Sequence, residues 1–497
     1  MSAPSFDDRR RDLSEHKRAA LDRLLLRPQA ASAISESAGT DRGPRVVAAP
    51  HERSEPFPLT DVQQAYFVGR QRTFELGNVG SHSYVEIDVP AFDPLRFERA
   101  LNALIARHEM LRAVVTPDAR QQILPRVPWY SVPLVDLAAT DADARIAAVR
   151  ERMTHRVISA HDWPLFEIGA SLLPDGRARL HVSFDILIAD VQSIRVLTRD
   201  LAHFYEQPDT PLEPLTISFR DYVLAVSALE HTDAYRRSEA YWIARLPELP
   251  PAPRLPLRRP LHELSHPRFT RRTSALEPAS WTAVKSRAQQ LGLTPSVVVL
   301  AAFCDALARH TESPAFTINL TLYNRLPVHP QIDEVVGDFT SLTLLAVDHQ
   351  PCEPFEVRAR KLQEQLWTDL DHRAFSGIQV LRRLVRLHRN RRAAAMPIVF
   401  TSNLLHRSEA PAPRPIGDVV FSLSQTPQVL LDHQVAEEGG ALVFNWDAVE
   451  EIFPDGLLSS MLAAYEDRLH ALAGGETAWG RTGKPDVGGV PGACAMS

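Results

Sequence analysis

Apolar residues along the chain recur at two spacings, every second position and every third or fourth, and the two alternate over most of its length. Thr60 stands where a helix N-cap is expected, and Gln63 three residues on completes a capping box. The helix it starts runs through Ala65, Tyr66 and Val68 to Gly69. Residues 82–89 alternate and predict a strand, and 95–108 predict a helix with residues 97, 101, 104 and 105 inward. Leu180, Val182 and Phe184 alternate with His181, Ser183 and Asp185, a second strand. Asp190 then caps a helix whose predicted stripe is Ile194, Leu197, Leu201 and Phe204.

The stretch 247–267, with LPELPPAPRLPLRRP at its centre, lacks N–H donors and predicts an extended surface connection. A second set of elements follows it. Helices are predicted near 279–291 and 294–310, and strands near 315–322, 340–348, 396–402 and 428–435. A last helix over 454–472 carries Leu457, Leu458, Met461, Leu462 and Tyr465 on one side. Ahead of everything, 13–26 predicts a short helix with Leu21, Leu24 and Leu25 as its stripe, a candidate packing or docking element. Ser, Ala, Pro and Gly dominate 29–50 and the region after 474, which read as linker and tail. No repeat of 20–50 residues is visible. The pattern predicts an α/β protein of two similar lobes meeting along a cleft. The expected divisions are 1–50 for the helix and linker, 51–228 and 229–474 for the lobes, and 475–497 for a flexible tail.

Composition narrows the function. At 497 residues with 44% hydrophobic and 23% charged side chains, the chain can bury a large core. Fifty-five basic against 61 acidic residues is no footprint for nucleic acid. There is no run of 18 apolar residues and no signal-peptide core at the N-terminus, so no membrane partner is expected. Three cysteines argue against a disulfide framework and fit a reducing cytoplasm. Cys304, Cys352 and Cys494 have no metal-ligand spacing, and His108-Glu109 lacks a second His four residues on, so no metal site is expected.

P-loop, GxGxxG, GxSxG and HExxH signatures are absent. What remains is polar residues set in apolar strands. In SFDILIADVQS, Asp185 ends a strand and Asp190 starts a helix; a cap explains Asp190 better than it explains Asp185. MPIVFTSN places Thr401 on the face of Val399. In SQTPQVLLDHQ, residues Gln428, Leu430, Asp432 and Gln434 share one face of a strand by the two-residue period, and a solvent-facing side is the plain alternative.

These segments resemble a known family. FPLTDVQQAYFVGR looks like the opening motif of heterocyclization domains of nonribosomal peptide synthetases, and RHEMLR is similar to their second. Asp185, Asp190 and Ser193 reproduce DxxxxDxxS, which stands in this family where ordinary condensation domains carry HHxxxDG. GDFTSL, PIVFTS and QTPQVLLDHQ resemble the later motifs, in order, across about 57–472. The resemblance implies two chloramphenicol-acetyltransferase-like lobes in a V-shaped pseudo-dimer with a central tunnel. Donor and acceptor peptidyl carrier proteins, from neighbouring synthetase modules, bring substrates on phosphopantetheine; the domain itself is expected to bind no cofactor.

The implied reaction joins an acyl or peptidyl thioester to a carrier-bound Cys, Ser or Thr, then cyclises and dehydrates the amide to a thiazoline or oxazoline. Ile186 stands where the superfamily's second histidine would be, so an imidazole base is impossible there. Aminolysis of a thioester needs mainly positioning, whereas expelling water needs an acid and losing the amide proton a base. The resemblance puts that work on Asp432 paired with Thr401. It makes Asp190 structural and held by an arginine, leaves Asp185 and Ser193 architectural, and offers Gln425 and Asn319 as substrate-amide contacts. The competing readings are a condensation-only acyltransferase and a non-catalytic docking domain.

Overall fold

The computed structural model describes residues 46–71, 76–137, 141–350, 352–388, 396–404 and 416–480. The helix predicted over 13–26, most of the linker and most of the tail lie outside them. Strands in the first half are β1 (Phe57–Pro58), β2 (His82–Val89), β3 (Ala113–Val115), β4 (Arg120–Ile123), β5 (Leu134–Asp136), β6 (Phe166–Leu172) and β7 (Ala178–Asp185). Its main helices are α1 (Asp61–Gly69), α2 (Pro94–Arg107), α3 (Ala142–Thr154), α4 (Val191–Glu206) and α5 (Phe219–Ser227). The second half supplies β8 (Thr270–Leu276), β9 (Ala315–Tyr323), β10 (Thr340–Asp348), β11 (Ile398–Ser402), β12 (Asp418–Gln425), β13 (Leu431–Glu438) and β14 (Ala441–Ala448). With them come α6 (Asp233–Arg245), α7 (Pro278–Gln290), α8 (Pro295–Ala308), α9 (Phe355–Asp371), α10 (Gly377–His388) and α11 (Leu457–Ala473).

The strands form two principal sheets. One runs β12-β2-β7-β6-β5, the other β10-β9-β11-β13-β14-β8, and β1-β4-β3 make a small third. Strand β12 comes from the second half of the chain and pairs antiparallel with β2 of the first, so the halves share a sheet. In the second half, α8 is apolar all round and buried on every side, with Val298, Ala302, Phe303 and Leu307 at the centre of the core. Trp446, Tyr465 and Phe316 close over it. No single described helix is long and apolar enough to cross a membrane.

Local signals explain most starts. Thr60 Oγ1 accepts from the Gln63 amide and Gln63 Oε1 from the Thr60 amide, at 3.2 and 2.8 Å, a complete capping box. On α2, Phe97, Leu101, Leu104 and Ile105 face inward as predicted. On α4 the stripe is rotated from the prediction: Val196, Leu197 and the carboxylate Asp200 point in, while Ile194 is exposed. Asp200 is drawn in because Arg107, His108 and Arg199 all bind it. The predicted strand over 428–435 begins only at Leu431, since Gln428 sits at φ 67°, in the left-handed region. The Pro-rich stretch is only partly superficial: short 3-10 turns bracket it and Leu255 and Leu264 are buried in the second core. Cys304 is a free, buried thiol, whereas Cys352 is disulfide-bonded.

Helix α1 sits where the halves meet. Gln63 Nε2 donates to the Leu187 carbonyl at 2.7 Å, in the turn between β7 and α4. Arg70, just past the helix end, pairs with Asp185 at 2.9 Å. Gly69 lies against Pro427 and Gln428, where an added Cβ would come within 3.1 Å. At the other end, Asp61 accepts from Ser376, Gln379 and Arg382 of α10 and the turn before it.

Candidate active site

The six-stranded sheet places Asp432 in a row that crosses five strands. In-register neighbours are Asn319 on β9, Val399 on β11, Asp432 on β13, Asp447 on β14 and Arg271 on β8. Residues paired in register point to the same face of a sheet, so this row and the next, Thr321, Thr401 and Gln434, line one surface. The parallel pairing of β11 with β13 sets Thr401 diagonal to Asp432, and its Oγ1 donates to Asp432 Oδ1 at 3.3 Å. A hydroxyl has one proton to give. Thr401 Oγ1 also donates to Thr321 Oγ1 at 2.9 Å, so that proton is shared between the Thr321 hydroxyl and the Asp432 carboxylate.

Gln434 Nε2 donates to the other oxygen of Asp432 at 2.7 Å, and also reaches Ser424 Oγ at 2.7 Å and Asp447 Oδ2 at 3.2 Å. Burial pushes the Asp432 carboxyl up to about 7, helped by the Asp447 charge and opposed by Gln434, Arg271 and Thr401. A carboxyl that changes protonation near neutrality suits both halves of acid–base work.

The DxxxxDxxS residues form a different group. Asp185 is 1% exposed and held by Arg70, its carboxyl raised by burial against the pull of that guanidinium. Asp190 caps α4 by accepting from the Ser193 amide at 2.7 Å, and Arg325 binds it at 2.8 Å. Ser193 Oγ donates to the Gly337 carbonyl at 2.8 Å and accepts from the Gly337 amide at 3.0 Å. The motif thus clamps the GDFTSL segment.

Gln425 does not join Asp432. It lies on β12 and is 3% exposed, and its amide donates to the Thr154 carbonyl at the end of α3. Successive residues of a strand point to opposite faces, so its neighbour Ser424 is the one turned towards Gln434 and Asp447. Asn319 shares the row of Asp432, but its amide nitrogen is given to the Met396 carbonyl at 2.6 Å; its carbonyl oxygen is buried without a partner.

Three residues outside the predicted set complete the surroundings. The phenol of Tyr66 is raised well above its usual range by burial and by the facing Asp338, Asp432 and Asp185. Tyr323, which donates to Asn403, is raised by burial and by Asp190 and Asp432. Asp338 has one carboxyl oxygen buried without a partner, and burial pushes it up to about 7. The opening motif, GDFTSL, PIVFTS and TPQVLLDHQ therefore each bring a residue to the surroundings of Asp432. No periodicity marks Tyr66 as a site residue, since helix α1 reads as amphipathic packing; Arg271 and Asp447 carry no motif at all.

A condensation-domain family model matches residues 54–474. The chain belongs to the condensation-domain family. Within it the chain is similar to the cyclization-docking bidomain of the nonribosomal peptide synthetase EpoB from Sorangium cellulosum, at 40% identity and a TM-score of 0.80 over 87% of each chain. It is 40% identical to pyochelin synthetase PchF of Pseudomonas aeruginosa over 88% of this chain, which is 24% of that protein. Phenyloxazoline synthase MbtB of Mycolicibacterium paratuberculosis matches at 39% identity over 87% of this chain and 37% of that protein. The chain is thus a heterocyclization domain, spanning about a quarter to a third of these larger synthases. The fold implied by the motifs, two α/β lobes of the condensation type, is the one observed. In this heterocyclization domain Arg70 pairs with Asp185, the first residue of the DxxxxDxxS segment.

Proposed function

We propose that the domain condenses a carrier-bound acyl or peptidyl thioester with a carrier-bound Cys, Ser or Thr, then cyclodehydrates the amide to a thiazoline or oxazoline. The observation that carries this is the Asp432–Thr401 contact, with Asp432 poised near neutrality. The relatives named as a phenyloxazoline synthase and a cyclization bidomain support it. Both substrates arrive on phosphopantetheine arms of donor and acceptor carriers of neighbouring modules. The cytoplasm, where such carriers work, is part of the same proposal.

In the first step the acceptor amine attacks the donor thioester, the tetrahedral adduct expels the donor carrier's thiol, and an amide forms on the acceptor carrier. Holding the two arms in line supplies most of what this step needs. In the second, the side-chain thiol or hydroxyl adds to the amide carbonyl, giving a five-membered ring with a hydroxyl on the former carbonyl carbon. The Asp432 carboxylic acid protonates that hydroxyl, which leaves as water, and the resulting carboxylate takes the proton from nitrogen as the C=N bond forms. Thr401 holds one Asp432 oxygen and Gln434 the other.

Asp432→Asn and Thr401→Ala are expected to fold and still make amide, while ring formation falls about 100-fold or more for Asp432→Asn. Intact-mass analysis of the acceptor carrier reads this directly: linear amide accumulates, heavier than ring by one water. Ring formation at the parent rate in Asp432→Asn would remove Asp432 from the mechanism. A condensation-only domain is the lesser reading, since it gives the Thr401–Asp432 contact nothing to do.

A further inference from the structure

Behind Asp432 lies a charged pair that no motif announces. Asp447 is fully buried, and Arg271 binds it through two bonds, Nε to Oδ1 at 2.7 Å and Nη2 to Oδ2 at 2.5 Å. Arg271 is itself anchored by Ser422 Oγ at 2.5 Å and reaches Gln434 Oε1 at 3.3 Å. Asp447 also accepts from the Ser424 hydroxyl at 2.7 Å and the Ser424 amide at 3.2 Å. Gln434 is therefore gripped at both ends: its oxygen by Arg271, its nitrogen by Asp447, Ser424 and Asp432. The register explains the arrangement. Asp432 stands directly opposite Asp447, two like charges that repel, and Asp447 stands directly opposite Arg271, which offsets it.

We propose that Arg271 and Asp447 are a positioning pair, which aims the Gln434 amide at Asp432 and balances the charge that Asp432 meets across the sheet. This rests on the reading of Asp432 as the acid–base group. The charged and titratable groups facing Asp432 are Asp447 from β14, Arg271 from β8, Tyr66 from α1 and Tyr323 from β9. Burial keeps both phenols protonated, so the charge balance falls to the pair. Its halves act with opposite sign: Asp447 disfavours the Asp432 carboxylate and Arg271 favours it.

The test follows from those signs. Ring closure is measured against pH on carriers preloaded with linear amide, and the Asp432 carboxyl is titrated by carbon-13 NMR of the aspartate-labelled domain, its signal assigned by loss in Asp432→Asn. Asp447→Asn should move both the pH limb and the NMR titration of Asp432 down, and Arg271→Gln should move both up, each by about one pH unit. Arg271→Lys, which keeps the charge, should return the limb towards the parent position with a several-fold lower rate. The doubly neutral Arg271→Gln/Asp447→Asn variant keeps hydrogen-bonding groups without a lone buried charge. It should fold if a single variant does not, and titrate between the two singles. Amide formation should stay within about threefold throughout, because it depends on positioning of the arms. Shifts in the same direction, or no shift in any variant, would overturn the pair's role. If Asp432→Asn closes rings normally, the acid–base reading fails instead, and the NMR arm still reports on the pair.

Discussion

Asp190 answers to two partners at once. Its Oδ1 caps α4 and meets Arg325, whose side chain is 8% exposed and stacks over Phe339 at 3.9 Å. Asp190→Ala would uncap the helix and leave a guanidinium buried without its counter-charge, at a cost of about 3–5 kcal/mol. A chemical-denaturation curve should show that loss, with amide and ring formation declining together as the folded fraction declines. A variant as stable as the parent yet inert would move Asp190 among the reacting groups. The contrast with Asp432 shows what a sequence can reveal about single residues. A cap is local, so Asp190 is legible from the residues after it. Arg325 lies 135 positions away, and no spacing identifies it. Gln425 fails for a similar reason: its motif is adjacent to Asp432 in sequence, but the turn at Gln428 separates two strands that belong to different sheets.

Elements were legible where their periodicity was undisturbed. Strands β2 and β10 occupy the residues predicted, β2 because its first six residues alternate between buried and half-buried. Helices α9 and α10 and strands β8 and β14 went unpredicted, and with them Arg271 and Asp447. Periodicity says that a strand exists but not which sheet receives it, so the crossing of β12 to β2 stayed hidden. The GDFTSL segment is another case in which the neighbour decides. A Cβ on Gly337 would lie 2.2 Å from the Phe219 ring, which is itself packed against Phe57 and Phe339. Gly337→Ala must therefore push the segment away from α5, stretching the Ser193 contacts on both sides of the residue. Overpacking of this kind costs about 1–3 kcal/mol. The variant should show a lower melting temperature, and Ser193→Ala added to it should cost less than it does in the parent. Full additivity of the two substitutions would mean that the contacts do not depend on where Gly337 sits.

At the scale of the whole molecule, a crossing strand and a helix join the two halves, alongside the grip of Asp190 on Arg325 and of Ser193 on Gly337. Strand β12 lends the second half to the first sheet, and α1 ties the first half to α10 through Asp61. The same helix fixes Asp185 through Arg70, the β7–α4 turn through Gln63, and the TPQ turn through Gly69. Its opening motif is thus structural, apart from Tyr66, which lies near Asp338, Asp432 and Asp185. Asp61 accepts three hydrogen bonds at 2.6, 3.0 and 2.9 Å, and it is only partly exposed, so losing it weakens the join between the halves without opening either core. Asp61→Ala should keep its secondary structure by circular dichroism and show a larger radius of gyration in X-ray scattering. On the proposed reaction, in which two carrier arms meet between the halves, amide formation and ring formation should fall by the same factor. Loss of ring formation alone would place Asp61 in the chemistry of Asp432; unchanged scattering with unchanged rates would show that β12 and the Asp190–Arg325 and Ser193–Gly337 contacts suffice to hold the halves together.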